Sequence, residues 1–512
     1  MIYKRQRNKK GEILEKINMK KAKAIMILGT MSNVGKSIVT TGLCRILTQD
    51  GFSVAPFKSQ NMSSNAFVTR DGLQMSQAQV VQAEACGKEP SVLMNPIMLK
   101  PASHSASQVI VRGKNYGEYS ARTYYQTKKN LRESVVSAFE TLQADNDVIV
   151  IEGAGSPAEL NLNADDFVNL GMAKIAHAPC LLVGNIDLGG VFAQLYGTIK
   201  LLPEPEQAMI KGLIVNKFRG DKTLFADGIR LLEKITGKDV LGVLPFMKLH
   251  IDDEDSLAEK FSIKESALVT IAVIKLPHLA NFTDFTILEQ TEQVAVRYVG
   301  SADEIESPDV LIIPDTKNPI EDMRWLAENG FDKKISLHAE SQKLLFGIGG
   351  GYAILGETLK DNFDSTEIKG LQLLPVTACY SGEEAPRNVS GTVSSSAGNI
   401  FAGAEVSGFV LQSADAVQRK TGEAFIRGSA DASDFADGSS SGRVFGTNLH
   451  EFFDNEQIRE RLFSFLAKQK NCTQNLFRVL NRKAEKEKAY DALAASMREN
   501  LDIVAIKKII GI

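Results

Sequence analysis

Gly29-Thr30-Met31-Ser32-Asn33-Val34-Gly35-Lys36-Ser37 follows directly on the apolar run Ala24-Ile-Met-Ile-Leu28 and opens Ser37–Thr48, whose apolar residues recur at helical spacing. In that order of strand, glycine-bearing loop and helix, successive backbone N–H groups and a helix N-terminus converge on phosphate oxygens. Lys36 is placed to reach the β- and γ-phosphates of a nucleotide, and the Ser37 hydroxyl to ligate magnesium. The strict eight-residue pattern fails at one position, where Thr30 stands for its first glycine. The Gly-Thr start with Gly-Lys-Ser is a known variant of the loop. Thr30, Asn33, Gly35, Lys36 and Ser37 are therefore the candidate phosphate-binding residues.

Outward from the loop, short β-branched runs alternate with helical stretches. Asp147–Ile151, Cys180–Val183, Gly212–Val215 and Val240–Val243 read as further buried parallel strands, with Leu131–Leu142 and Phe225–Ile235 among the helices between them. The pattern predicts an α/β doubly wound parallel-sheet domain over 22–250. Glu152 ends one of these runs, at the strand edge where open α/β sheets bind ligands, and is a candidate to hold magnesium with Ser37. An ordinary strand-terminal acid is the alternative. Asn216 follows another run, and its amide is a candidate to read a purine edge.

The acidic stretch Asp252–Asp255 suggests a linker over 251–267. A second strand series, Leu268–Leu276, Val310–Pro314, Leu344–Ile348 and Leu371–Val376, predicts a second α/β domain over 268–458. The patches Ser394–Gly398 and Gly438–Gly442 read as surface loops within it. Residues 459–512 have the pattern of a charged helical tail, expected to pack on the second domain. Residues 1–21 read as a solvated basic tail, since the first 23 residues carry nine Lys or Arg against Glu12 and Glu15. No apolar core of a secretory signal follows them. Met19 is an alternative start, with residues 1–18 dispensable.

The composition excludes several classes. The 512 residues hold 59 Lys plus Arg against 62 Asp plus Glu, a balance that argues against a dedicated nucleic-acid binder. No run reaches the roughly 18 uncharged apolar residues a membrane helix needs. The five cysteines are scattered without a CxxC pair, which argues against a disulfide framework and a cysteine zinc site and fits a cytoplasmic protein.

Several blocks together resemble the cobyric acid synthase family: Pro56-Phe-Lys-Ser-Gln-Asn-Met62, Leu99-Lys-Pro101, Ile151-Glu-Gly-Ala-Gly-Ser-Pro-Ala-Glu159, Asn185-Ile-Asp-Leu-Gly-Gly-Val-Phe192, Val215-Asn-Lys-Phe-Arg-Gly220, Asp253-Glu-Asp-Ser256 and Asn281-Phe-Thr-Asp-Phe285. The resemblance implies a dethiobiotin-synthetase-like ATPase domain followed by a class I glutamine-amidotransferase-like domain. It implies ATP and Mg2+, a small-molecule corrin substrate, and ammonia drawn from glutamine. The implied reaction is amidation of four peripheral carboxylates of adenosylcobyrinic acid a,c-diamide in cobalamin biosynthesis. Lys58 and Lys100 lie in matching blocks and become candidates to hold the carboxylate or assist phosphoryl transfer, although residue physics alone favours surface lysines. Asp187 becomes a candidate for magnesium or substrate. Where relatives carry arginine this chain has Leu188, which removes a contact to an anionic substrate. Asp71-Gly-Leu-Gln74 likewise departs from the relatives' Gly-Gly-Glu-Ile.

In amidotransferase domains of this type a strand leads into a sharp turn bearing a cysteine, usually within Gly-Ile-Cys-Gly-Gly-Tyr. Here the stretch reads Phe346-Gly-Ile-Gly349-Gly-Gly-Tyr352, so the nucleophile position has no side chain and no glutamyl thioester can form. Phe445-Gly-Thr-Asn-Leu-His450 matches the block of the general base and marks His450 as a catalytic residue or a vestige of one. Pro314-Asp315-Thr-Lys317 stands where relatives have Pro-Gly-Ser-Lys, and an aspartate there opposes developing negative charge. Gly408-Phe-Val-Leu-Gln412 also departs from the relatives' Gly-Tyr-Glu-Ile-His. Cys379 lacks the glycine-rich elbow. The expected activity is an ATP-dependent amide ligase fed by free ammonia or by a separate glutaminase. Two other readings stay open: ligation on another acceptor, and a non-catalytic ATP-binding regulator.

Overall fold

The computed structural model describes residues 21–101, 106–162, 166–247, 251, 267–361, 365–380, 384–395, 399–412, 417–430 and 433–512. The linker over 251–267, the basic tail, the block Asp253–Ser256 and part of the Ser394–Gly398 patch fall almost wholly outside the described residues.

The first domain is built on a six-stranded sheet ordered Val240–Pro245, Ile210–Phe218, Cys180–Asn185, Lys23–Gly29, Val148–Glu152 and Val54–Phe57. Every pairing is parallel. Both faces are covered, which is why these strands read as unbroken apolar runs rather than alternating ones. Chain connections leave in opposite directions beside Lys23–Gly29, so the loop after that strand opens at the switch point of the sheet. A smaller sheet joins Gln60–Met62, Ile97–Pro101, Ala106–Val111 and Lys114–Ser120.

The second domain has the strand order Val294–Val299, Val269–Ile274, Val310–Ile313, Leu344–Ile348, Val444–Thr447, with Ser439–Ser441 as an antiparallel edge. The patch Gly438–Gly442, expected as a surface loop, therefore carries a short strand. The expected strand Leu371–Val376 is not one. Its N–H groups at Leu371, Leu373 and Leu374 bond carbonyls of Ile354 and Leu355, wrapping the end of the helix Gly350–Ile354. The strand begins only at Val376 and runs to Tyr380. Two four-stranded sheets complete the domain: Glu367–Lys369, Thr358–Asp361, Val376–Tyr380 and Val417–Arg419, and an antiparallel layer of Glu405–Gln412, Glu384–Val393, Ile426–Ala430 and Ser433–Asp437.

The tail divides between the domains. Helix Glu456–Gln469 buries Ile458, Leu462, Phe463 and Leu466 in the second core. Helices Arg482–Asn500 and Ile503–Ile510 instead return to the first domain, where Tyr490, Leu493, Met497 and Ile506 share a core with Val39, Leu43 and Ile46. The expectation that the whole tail packs on the second domain is thus corrected. Gly42 allows the close approach, since a Cβ there would lie 2.0 Å from Met497 Sδ. Arg45 binds Glu487 and Asp491, at 2.7 and 2.8 Å. These exposed-rim pairs set register more than stability.

A third core joins the domains: Ala66, Val68, Met98 and Ile110 pack on Phe409 and Leu411. Asn281 accepts from Ala66 N at 3.0 Å and Asn388 donates to the Thr69 carbonyl at 2.8 Å across the same seam.

Candidate functional site

The helix Lys36–Gln49 starts from Gly35, whose φ of +94° is a left-handed conformation that only glycine adopts without cost. A Cβ at Gly35 would also meet Asn216 Nδ2 at 2.1 Å. Asn33 takes the second left-handed position of the loop, φ +60°, a geometry asparagine tolerates. Lys36 is buried and arches back over the loop, donating from Nζ to the carbonyls of Met31 (2.9 Å) and Gly155 (3.1 Å). Thr30 anchors the loop start through its N–H to the Val183 carbonyl and its hydroxyl to Gln194. Asn216 donates its amide to the Val34 carbonyl at 2.8 Å. That places it behind the loop as a brace, with one amide N–H engaged there.

Glu152 collects the chemistry of the site. Its Oε1 accepts from Ser37 Oγ at 2.9 Å and from Lys58 Nζ at 2.7 Å, and its Oε2 accepts from Gln82. The carboxylate is buried. Burial alone would raise its pKa, yet Lys58, the Gln82 bond and Lys36 overcome that and hold it below the usual range. One half-buried hydroxyl and one buried, ionised carboxylate at a phosphate loop fit Mg2+, which takes one or two protein ligands and fills the rest with phosphate and water. Asp187 is not part of this pair. Arg219 takes both of its oxygens, at 2.6 and 3.3 Å, and holds its pKa low, and no contact joins it to Ser37 or Glu152 among the described residues.

Neither Lys58 nor Lys100 is a surface lysine, as residue physics had favoured: they are 6% and 1% exposed. Lys100 Nζ, on the smaller sheet, donates to Gln74 Oε1 at 3.0 Å on the two-stranded ribbon of Ala66–Val68 and Gln74–Ser76. Ser59, Asn61, Asn65, Ser76, Gln79 and Gln82 are also buried polar residues; Asn61 donates to Ser76 and Gln79, and Gln82 shares Glu152 with Lys58. Sequence reasoning missed Gln82. Gln77, Gln79 and Gln82 read locally as a solvated helix face, and only the fold turns them inward. Arg219→Ala tests the weaker link. Its exposed pair with Asp187 should change amidation less than tenfold, measured as kcat/KM, because solvent screens such pairs.

At the C-terminal edge of the second sheet, Gly349 (φ +54°, ψ −119°) forms a sharp strand-to-helix elbow after Leu344–Ile348. His450 faces it. Its Nδ1 lies 2.8 Å from Asp284 Oδ2, and Asp284 Oδ1 accepts from Glu451 N at 3.0 Å. Asp315 Oδ2 lies 3.8 Å from His450 Nε2 and accepts from Asn281 Nδ2 at 2.7 Å. Asp315 Oδ1 accepts from Gly350 N at 2.7 Å. Phe409 stacks on the imidazole with centroids 5.0 Å apart and meets Phe67 of the first domain at 5.9 Å. A buried histidine oriented by a carboxylate, the arrangement a general base needs, faces a position 349 that has no side chain. Asp284 stands in a block noted for its resemblance, but nothing in its local sequence announced the histidine as its partner.

Burial lowers the His450 pKa, but Asp284 and Asp315 overcome this and raise it overall. A base with a raised folded pKa adds stability that is full below its unfolded pKa, about 6.5, and is lost as pH rises through the folded value. His450→Gln should therefore flatten the fall in urea midpoint above pH 6.5. An unchanged slope would count against the charged imidazole.

Two family models match the chain. Residues 25–256 match the CobQ/CobB/MinD/ParA nucleotide binding domain, and residues 270–458 the CobB/CobQ-like glutamine amidotransferase domain. Among curated relatives, "Cobyric acid synthase" of Ruminiclostridium cellulolyticum is 47% identical, covering 96% of this chain and 97% of the relative. That of Lachnoclostridium phytofermentans is 45% identical over 95% of this chain and 99% of the relative. That of Caldanaerobacter subterraneus subsp. tengcongensis is 42% identical over 95% and 98%. With a phosphate loop on its first sheet, an amidotransferase elbow on its second and this similarity across both, the chain belongs to the cobyric acid synthase family.

Proposed function

We propose that the protein is an ATP-dependent amide ligase that converts peripheral carboxylates of adenosylcobyrinic acid a,c-diamide to amides, using ammonia that its own second domain does not generate. The observation that carries this reading is the contrast between the two sites: Ser37, Lys58 and Glu152 are mutually engaged beside the loop, whereas the elbow at Gly349 has no thiol.

Phosphoryl transfer asks chiefly for positioning and charge neutralisation. The loop N–H groups and Lys36 hold the β- and γ-phosphates of ATP. Ser37 and Glu152 would hold magnesium, which when bound would supply charge neutralisation to the transferring phosphoryl group. Lys58, paired with Glu152, places a further positive charge beside the loop. The acceptor carboxylate attacks the γ-phosphate, ADP leaves, and an acyl phosphate forms. Ammonia then adds to its carbonyl carbon, loses a proton and expels phosphate, leaving the amide. Lys100, buried and bonded to Gln74, is the further candidate to hold the acceptor carboxylate.

The test is phosphate release by the purified full-length chain with ATP, Mg2+, ammonium and the corrin diamide. Release should depend on all four. Release without the corrin, or none with it, contradicts the reading.

A further inference from the structure

We propose that Asp315 fixes the nitrogen source of this chain: its carboxylate fills the hollow of the elbow from within, so that a nucleophile at position 349 and the oxyanion of bound glutamine are both excluded. This rests on reading the second domain as an amidotransferase fold without glutaminase activity, and it assigns the exclusion to one side chain.

Three observations place the carboxylate there. Asp315 Oδ1 accepts from Gly350 N at 2.7 Å, the N–H just after the nucleophile position. In a working elbow such a backbone N–H stabilises the tetrahedral oxyanion, and only if it is not already taken by an anion. Second, a Cβ on Gly349 would lie 2.3 Å from Asp315 Oδ1, 2.7 Å from Cγ and 3.1 Å from Cβ. A thiol one bond further out has less room still. Third, the side chain has little freedom to withdraw. It is 5% exposed, its Oδ2 is held by Asn281 at 2.7 Å, and His450 Nε2 lies 3.8 Å away. Asn281 in turn accepts from Ala66 N, so the first domain helps to fix the arrangement.

The elbow backbone itself keeps the φ +54°, ψ −119° geometry that would present a thiol. Gly349 and Asp315 are thus coupled. Restoring a side chain at 349 without removing Asp315 forces an overlap, and removing Asp315 alone restores no nucleophile. The carboxylate also changes what the pocket favours electrostatically. A negative charge bound to the hole opposes the second negative charge that acyl transfer would develop there.

The experiment is a double-mutant cycle in the full-length chain, with Gly349→Ala and Gly349→Cys each made in the natural and the Asp315→Gly backgrounds. Backbone strain from any side chain at φ +54° is common to both backgrounds and cancels, leaving the contact with Asp315. Melting should show Gly349→Ala lowering the midpoint by several degrees more in the natural background than in Asp315→Gly. Equal shifts in both would overturn the proposal. Glutamate release from glutamine, assayed without ATP or corrin, should be at least tenfold faster in the Asp315→Gly, Gly349→Cys double variant than in Gly349→Cys alone. Equal rates, including none in either, would overturn the assignment of nitrogen source to Asp315. Neither readout involves ligation, so failure of the amidation reading would leave this test intact, and failure here would leave ammonia-dependent amidation standing.

Discussion

Lys36→Ala should lower ATP-dependent amidation by about 10²–10³-fold, the loss expected when one preorganised charge donor is taken from a developing phosphoryl charge. The side chain is buried, folded over the loop and bonded to the carbonyls of Met31 and Gly155. Because these are neutral carbonyls, one on the loop and one on the segment that follows Val148–Glu152, the ammonium charge is pre-placed and needs little reorganisation to meet phosphate. The packing is tight on the strand side. A Cβ on Gly29 would lie 2.9 Å from Lys36 Nζ, so the glycine that ends the strand is what lets the lysine fold back. Arginine should not rescue the variant, since its longer planar fork does not fit this arch. Steady-state phosphate release at saturating corrin and ammonium measures the effect. A loss of less than tenfold would remove Lys36 from the transition state.

The second large effect falls on Glu152. Glu152→Ala removes the acceptor shared by Ser37, Lys58 and Gln82 in a buried site. Taking one partner from a buried ion pair costs about 3–5 kcal/mol, because the other charge stays in a medium that solvates it poorly. The same change takes away the proposed magnesium ligand. Folding should therefore weaken measurably in urea, and the dependence of phosphate release on Mg2+ should shift to much higher concentration. Glu152→Gln separates the two effects. It keeps a hydrogen-bond acceptor for Ser37 but leaves Lys58 without its counter-charge. The pH dependence follows from the depressed pKa of Glu152. A carboxylate whose folded pKa lies below its unfolded value, about 4.3, contributes stability that is full above the unfolded value and lost as pH falls through the folded one. The variants should accordingly show a shallower acid transition than the natural chain.

The sequence disclosed the strands of the first sheet because both of their faces are buried, which turns them into continuous apolar runs. Ala24–Leu28 and Cys180–Val183 lie within the observed Lys23–Gly29 and Cys180–Asn185. The phosphate loop was legible for a related reason: its chemistry is contiguous, with loop, Lys36 and Ser37 within nine residues. What hid from local reading was everything assembled across the chain. Lys58 and Lys100 look like solvated lysines until the smaller sheet and the glutamine-bearing helix Gln77–Ala85 enclose them. The run Leu371–Val376 has a strand's composition, yet its N–H groups serve a helix end, and composition alone does not say which carbonyls are near. Likewise helix Arg482–Asn500 carries a charged pattern and Ile503–Ile510 a largely apolar one, and neither pattern says which domain it joins. Only the groove beside Gly42 shows that they close the first domain. At the elbow the reverse held. The missing thiol was plain in the sequence, whereas the occupation of the Gly350 N–H by Asp315 needed coordinates.

The ligase half of this chain is proposed to work on ammonia that its second half does not supply. The most direct measurement follows the nitrogen: purified full-length protein, ATP, Mg2+ and the corrin diamide are incubated in parallel with 15N-ammonium and with glutamine labelled at its amide. The predicted result is labelled corrin amide from ammonium, rising with pH as the free ammonia fraction rises, and none from glutamine above the ammonia contaminating it. Labelled amide from glutamine at a rate matching that from ammonium, without glutamate formed by any other protein, would contradict the account.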